Sequence, residues 1–198
     1  SREGRGGDSG VAVRNVTEAS SNLGRMLATR QRLPPAEIFQ AGKAGDAART
    51  EYGRWFTETM RHEWFTLGFH LGYRYDNSPI VCADGTPAPP LPTASYVQTA
   101  RPGARAPHAW LPDGRSTLDL FGRGFVLLRI GHDAPDGEGM RCVAAQAGTP
   151  LDVIALDVPE VSELYARRLV LVRPDGHVAW RADEPPVDAR AVIDIVRG

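Results

Sequence analysis

Lysine is almost missing from this sequence: Lys43 stands alone among 23 basic residues, and the rest are arginine. Positive charge is not in excess either, since the formal net charge is -1. No global field therefore draws the chain to nucleic acid or to an anionic membrane surface. Cysteine is equally sparse. Cys82 and Cys142 lie far apart with no C-x-x-C spacing, which excludes a closely spaced zinc site and a dithiol redox centre, while a single long-range disulfide stays open. No apolar run approaches the ~20 residues of a membrane-spanning helix. The N-terminus has no apolar signal-peptide core, so the expected location is cytoplasmic.

What is present divides into four stretches. Residues 1–10, SREGRGGDSG, are glycine-rich, charged and nearly free of apolar side chains, and are expected to form a flexible leader. Residues 11–80 carry helical periodicity. Val16, Leu23, Met26 and Leu27 fall on one helical face, and Pro34-Pro35 interrupt it. A longer amphipathic helix follows Asp46, with Tyr52, Phe56, Met60, Trp64, Leu67 and Leu71 three or four apart as expected packing residues. Residues 81–108 form a proline-rich arm; five prolines from Pro79 to Pro92 leave no room for a central strand or helix. An arm of this kind lies extended over another surface.

From residue 109 to 198 short β-branched runs alternate with helical ones. The expected order is a short strand at Thr117–Leu120, then strands at Phe125–Ile130, Leu151–Leu156, Leu169–Arg173 and His177–Arg181. Helices are expected near Gly139–Ala147, Pro159–Ala166 and Val187–Arg197. Pro174-Asp175-Gly176 marks a hairpin between the last two strands. The overall class is α/β: a helical N-terminal segment, a proline-rich arm, and a thioredoxin-like β-α-β-α-β-β-α domain.

That domain lacks thioredoxin chemistry. The turn after its first central strand reads Gly131-His132-Asp133-Ala134-Pro135-Asp136, where a thioredoxin would carry its cysteines. Cys142 falls inside the following helix and is expected to be a small buried apolar group. Gly122-Arg123-Gly124 precedes a strand, not a helix, so it is no dinucleotide fingerprint. His62-Glu63-Trp64-Phe65-Thr66 ends in threonine where a zinc-protease helix needs a second histidine. The residues taken alone supply no catalytic constellation and no metal site.

Three strings in order change this reading. Leu67-Gly68-Phe69-His70-Leu71-Gly72-Tyr73-Arg74-Tyr75-Asp76-Asn77-Ser78-Pro79-Ile80-Val81 resembles the segment after the flavin-binding region of FAD-dependent aromatic hydroxylases, the single-component phenol, chlorophenol and polyketide monooxygenases. Arg101-Pro102-Gly103-Ala104-Arg105-Ala106-Pro107-His108-Ala109-Trp110-Leu111, with Ser116–Gly122 after it, looks like the entry to their thioredoxin-like C-terminal domain. Leu171–Arg181 looks like its closing hairpin, and Val11–Met26 is similar to the helix leaving the flavin domain. The resemblance implies a parent enzyme that uses FAD, NAD(P)H and O2 on a phenolic or polyketide ring. It implies a flavin-binding module upstream or in trans as partner, and admits a homodimer. This chain carries neither flavin motif, so by itself it is expected to hold no cofactor and to be inactive. Tyr73, Tyr75, Arg105 and His108 are the candidates for a substrate wall or domain contact; the alternative is that they pack locally or hydrogen-bond the arm. The competing function is a stand-alone, non-catalytic thioredoxin-like module that binds a partner protein through its arm.

Overall fold

A computed structural model describes residues 6–198. The leader expectation for residues 1–5 lies outside the described residues, as does the His62 side chain. The first helix begins earlier than its apolar periodicity: α1 runs Gly6–Gln31 and takes in the second half of that stretch. After a 3-10 turn at Ala36–Phe39 come α2 (Lys43–Trp64) and the short α3 (Leu67–Leu71).

The sheet has four strands: β1 (Phe125–Ile130), β2 (Leu151–Leu156), β3 (Leu169–Val172) and β4 (Val178–Ala182), in the order β2-β1-β3-β4. β2 runs parallel to β1 because α4 (Glu138–Gln146) carries the chain back across the sheet. After α5 (Pro159–Tyr165), β3 pairs antiparallel to β1, and the Pro174-Asp175-Gly176 hairpin returns β4 alongside it. Helix α6 (Ala189–Arg197) ends the chain, with Asp188 capping it through Ala191 N–H. This is the thioredoxin-like order.

Alternation along the strands makes two apolar layers. Val126, Leu128 and Ile130 of β1 join Val170, Val172 and Val178 against α5 and the arm. Leu127, Leu169 and Leu171 face α4 and α6, where Met140, Ala144 and Ile193 complete the other layer. Cys142 departs from expectation: it is exposed, because Met140 and Ala144 define the buried face of α4 and position 142 lies away from it. Both cysteines are free thiols.

The expected strand at Thr117–Leu120 is instead a 3-10 turn. Ser116 Oγ accepts from Leu118 N–H while Asp119 Oδ2 accepts from Ser116 N–H, a reciprocal cap that overrides the short alternation. Thr117 is fully buried and its hydroxyl donates to Pro107 O at 2.8 Å. Tyr165, also fully buried, donates to the same carbonyl at 2.7 Å. Burial pushes the Tyr165 phenol well above its ordinary pKa, so the hydroxyl stays a donor. Tyr165→Phe removes one of the two bonds to Pro107 O. It is expected to cost about 0.5–1.5 kcal/mol in urea unfolding with little change in slope.

The helical segment behaves unlike a core. Val13, Val16, Leu23 and Leu27 of α1, and Phe56 and Trp64 of α2, are exposed, Trp64 by 68%. The amphipathic signal is real, but these side chains have little cover within this chain.

Candidate functional site

The proline-rich arm does not hang free. Cys82 N–H donates to Ala179 O at 2.8 Å, Gly103 N–H to Val178 O at 2.7 Å, and Val178 N–H to Ala104 O at 2.9 Å. Ala106 N–H adds a bond to Gly176 O at 2.8 Å, so the arm runs along β4 as an irregular outer strand. Ala100 and Ala106 sit in the core. On the arm's other side Tyr75 N–H donates to Gly103 O at 2.9 Å. Gly103 has φ +91°, and a Cβ there would stand 2.9 Å from Tyr75 O, so only glycine lets the two segments meet.

This layering brings three of the four candidate residues together. Tyr73 and Tyr75 meet edge to face with ring centroids 5.8 Å apart, and both pack on His177, at 5.2 and 4.9 Å. Arg105 forms an antiparallel bridge with His177. Tyr73, Arg105, Phe121, Pro174, Asp175 and His177 line an open cleft of about 220 Å³ between the 3-10 turn and the β3–β4 hairpin. His177, on that hairpin, is 3% exposed; the sequence placed it only as the first residue of an expected strand.

The electrostatics of the cleft are uneven. His177 Nδ1 lies 3.3 Å from Asp175 O, while Asp175 Oδ1 accepts from His177 N–H at 3.1 Å. Asp175 Oδ2 accepts from Arg173 at 2.9 Å. Burial pushes the Asp175 carboxyl up, but the hydrogen bonds from His177 and the Arg173 charge overcome that and hold it below the ordinary range. His177 Nε2 is buried with no hydrogen-bond partner among the described residues. Arg105 lies near Tyr96, whose phenol burial pushes up against the opposing arginine charge.

His108 stands apart. Its Nδ1 is 2.7 Å from Ser116 Oγ, and its ring meets Trp110 edge-on at 4.9 Å. Gln98 clamps its backbone, accepting from His108 N–H at 2.5 Å and donating to His108 O at 3.2 Å. It secures the arm to the Ser116 cap and does not line the cleft.

At the thioredoxin position, the side chain of Arg129 reaches from strand β1 to the following turn. Its guanidinium donates to Pro135 O at 2.5 Å and Ala134 O at 2.7 Å. The loop is thus tied down by a cation where a dithiol would otherwise sit. No cluster of three or more His, Cys, Asp or Glu suited to a metal occurs among the described residues. No helix among them is long and apolar enough to cross a membrane.

The profile of the aromatic-ring hydroxylase C-terminal domain matches residues 99–197. The chain belongs to that family. It is 36% identical over 151 residues to a putative polyketide hydroxylase of Streptomyces coelicolor, covering 67% of this chain and 24% of that protein. It is 38% identical over 135 residues to the tetracenomycin B2 monooxygenase-dioxygenase of Streptomyces olivaceus, covering 62% of this chain and 24% of that protein. Among solved structures, the rebeccamycin biosynthetic enzyme RebC with reduced flavin superposes with a TM-score of 0.78 at 40% identity. That alignment covers 96% of this chain and 34% of RebC. The chain therefore spans about a quarter of the curated relatives and a third of the solved one. The family's C-terminal domain starts inside the arm, where Ala100 enters the core.

Proposed function

We propose that this chain serves as the C-terminal part of an FAD-dependent hydroxylase that uses NAD(P)H and O2 on a phenolic or polyketide ring. The observation that carries the reading is its alignment along 96% of its length with RebC at 40% identity. The exposed apolar side chains of α1 and α2 support it: large apolar residues left uncovered on two helices fit a face that packs against a neighbouring domain. The partner proposed for that surface is the flavin-binding module, in cis or in trans; a homodimer is the competing occupant.

FAD, when bound, supplies the oxygen-transfer chemistry. The residues described here do not fit that group: Gly122 and Gly124 lead into strand β1, and the turn from β1 to α4, although Gly137 caps that helix, lacks the G-x-G-x-x-G spacing. Their work is to present the helical face, anchor the arm and exclude water. The stand-alone alternative needs the arm free for a partner, whereas its backbone is bonded to β4.

The test is to purify the chain with the flavin-binding portion of a polyketide hydroxylase. Co-elution with yellow flavin and phenol- or polyketide-dependent NAD(P)H oxidation are expected, and Trp64→Arg should weaken co-elution. Failure of wild type to co-elute, with no flavin retained, would count against the reading. A chain that dimerises through α1 and α2 instead would assign the face to a second copy.

A further inference from the structure

We propose that the cleft beside the β3–β4 hairpin is a small-molecule site for a planar aromatic carboxylate. Three independent features converge on it. The first is charge. Arg105 makes no hydrogen bond or ion pair to another side chain among the described residues, although it lines the cleft. The one carboxylate in the wall, Asp175, is matched by Arg173 at 2.9 Å, so no carboxylate of the wall is left to neutralise Arg105, whose charge also bears on the Tyr96 phenol outside the cleft. A guanidinium presents its N–H groups in a planar fork suited to a carboxylate.

The second feature is shape. The walls are Tyr73, Phe121, Pro174 and His177, three of them flat rings. The volume of about 220 Å³ falls below the ~300–1,000 Å³ typical of drug-sized pockets, which suits a single substituted ring. The third is the unpartnered Nε2 of His177, on the opposite side of the imidazole from Asp175 and within a wall that is 3% exposed. Buried polar atoms are nearly always satisfied, and a ligand hydroxyl that shifts the Tyr73 ring would supply the missing donor. An aromatic hydroxy acid uses all three features: carboxylate on Arg105, ring between Tyr73 and Phe121, hydroxyl toward His177.

The site stands on the described chain alone and does not depend on a flavin partner. Titration of the 198-residue chain with salicylate, benzoate and benzamide, followed by amide chemical shifts, tests it. Salicylate and benzoate are expected to saturate, with shifts at Tyr73, Phe121 and the hairpin, and benzamide to bind roughly tenfold to a hundredfold more weakly. Arg105→Gln should lose the preference for the acid over the amide, while Arg115→Gln, outside the cleft, should keep it. Phe121→Ala should weaken acid and amide alike. Preserved shift dispersion shows that each variant is folded. If the acids fail to saturate, bind no better than benzamide, or bind Arg105→Gln as well as wild type, the assignment is wrong.

Discussion

Replacing Arg181 by methionine is expected to lower stability by roughly 3–5 kcal/mol, the usual cost of leaving one charge of a buried pair alone. Arg181 Nε donates to Asp84 Oδ2 at 2.6 Å, with side-chain exposures of only 8% and 10%. This pair joins β4 to the arm across 97 residues of sequence. It does not act alone. Thr86 N–H donates to Asp84 Oδ1 at 3.0 Å, Arg101 donates to Thr86 O at 3.1 Å, and Arg101 also pairs with Asp76. Removing Arg181 should therefore loosen the arm as well as the pair, which amide exchange at Cys82 and Gly103 would report. Acid should do the same thing reversibly. Burial pushes the Asp84 carboxyl up, and the hydrogen bonds from Thr86 and Arg181 more than reverse that, leaving it below the ordinary aspartate range. Its contribution is then complete above the unfolded aspartate pKa, and is lost as pH falls through the depressed folded value. Asp84→Asn should unfold with a shallower acid slope than wild type, measured by denaturant midpoints from pH 6 to pH 3 (about 4 is the unfolded reference). An unchanged slope would mean the carboxylate contributes nothing.

The second large effect is expected at Gly68, where α3 meets the arm. A Cβ there would stand 1.8 Å from Pro92 O and 2.2 Å from Ser95 O, both backbone atoms. Gly68 N–H also donates to Thr93 O at 3.1 Å, so the helix cannot back away without losing that bond. Gly68→Ala should cost more than the ~1–3 kcal/mol of ordinary overpacking, because a peptide segment has to move. Limited proteolysis should show new cleavage within the arm, between residues 85 and 99. A variant as resistant as wild type would mean that the arm and α3 do not bear on each other.

Sequence periodicity was sufficient for the layers because burial dictates it: Val126, Leu128 and Ile130 alternate with Leu127, and one period places all four. It misled at Thr117–Leu120, where Ser116 and Asp119 already carried a capping signature that local alternation outweighed. In α2 the apolar stripe led to an expectation of packing residues in one helix through Leu71, whereas the helix stops at Trp64 and Phe56, Trp64 and Leu67 are exposed; periodicity says that a face seeks cover and not where the cover comes from. Tyr73, Tyr75 and Arg105 were candidates from the resembling strings, and the structure brings them together beside His177. His177 was not a candidate, because its role follows from the arm crossing β4, a pairing between segments remote in sequence. No local pattern encodes that.

The bonding of the arm to β4 also decides how this sheet can grow. One rim is closed by Cys82 and by Gly103 through Ala106, whereas no strand among the described residues pairs with the outer side of β2. Any strand added by a neighbouring molecule, in an assembly or in an aggregate, must enter beside β2. Asp152, exposed and the one charged residue of that strand, is the group such a newcomer meets.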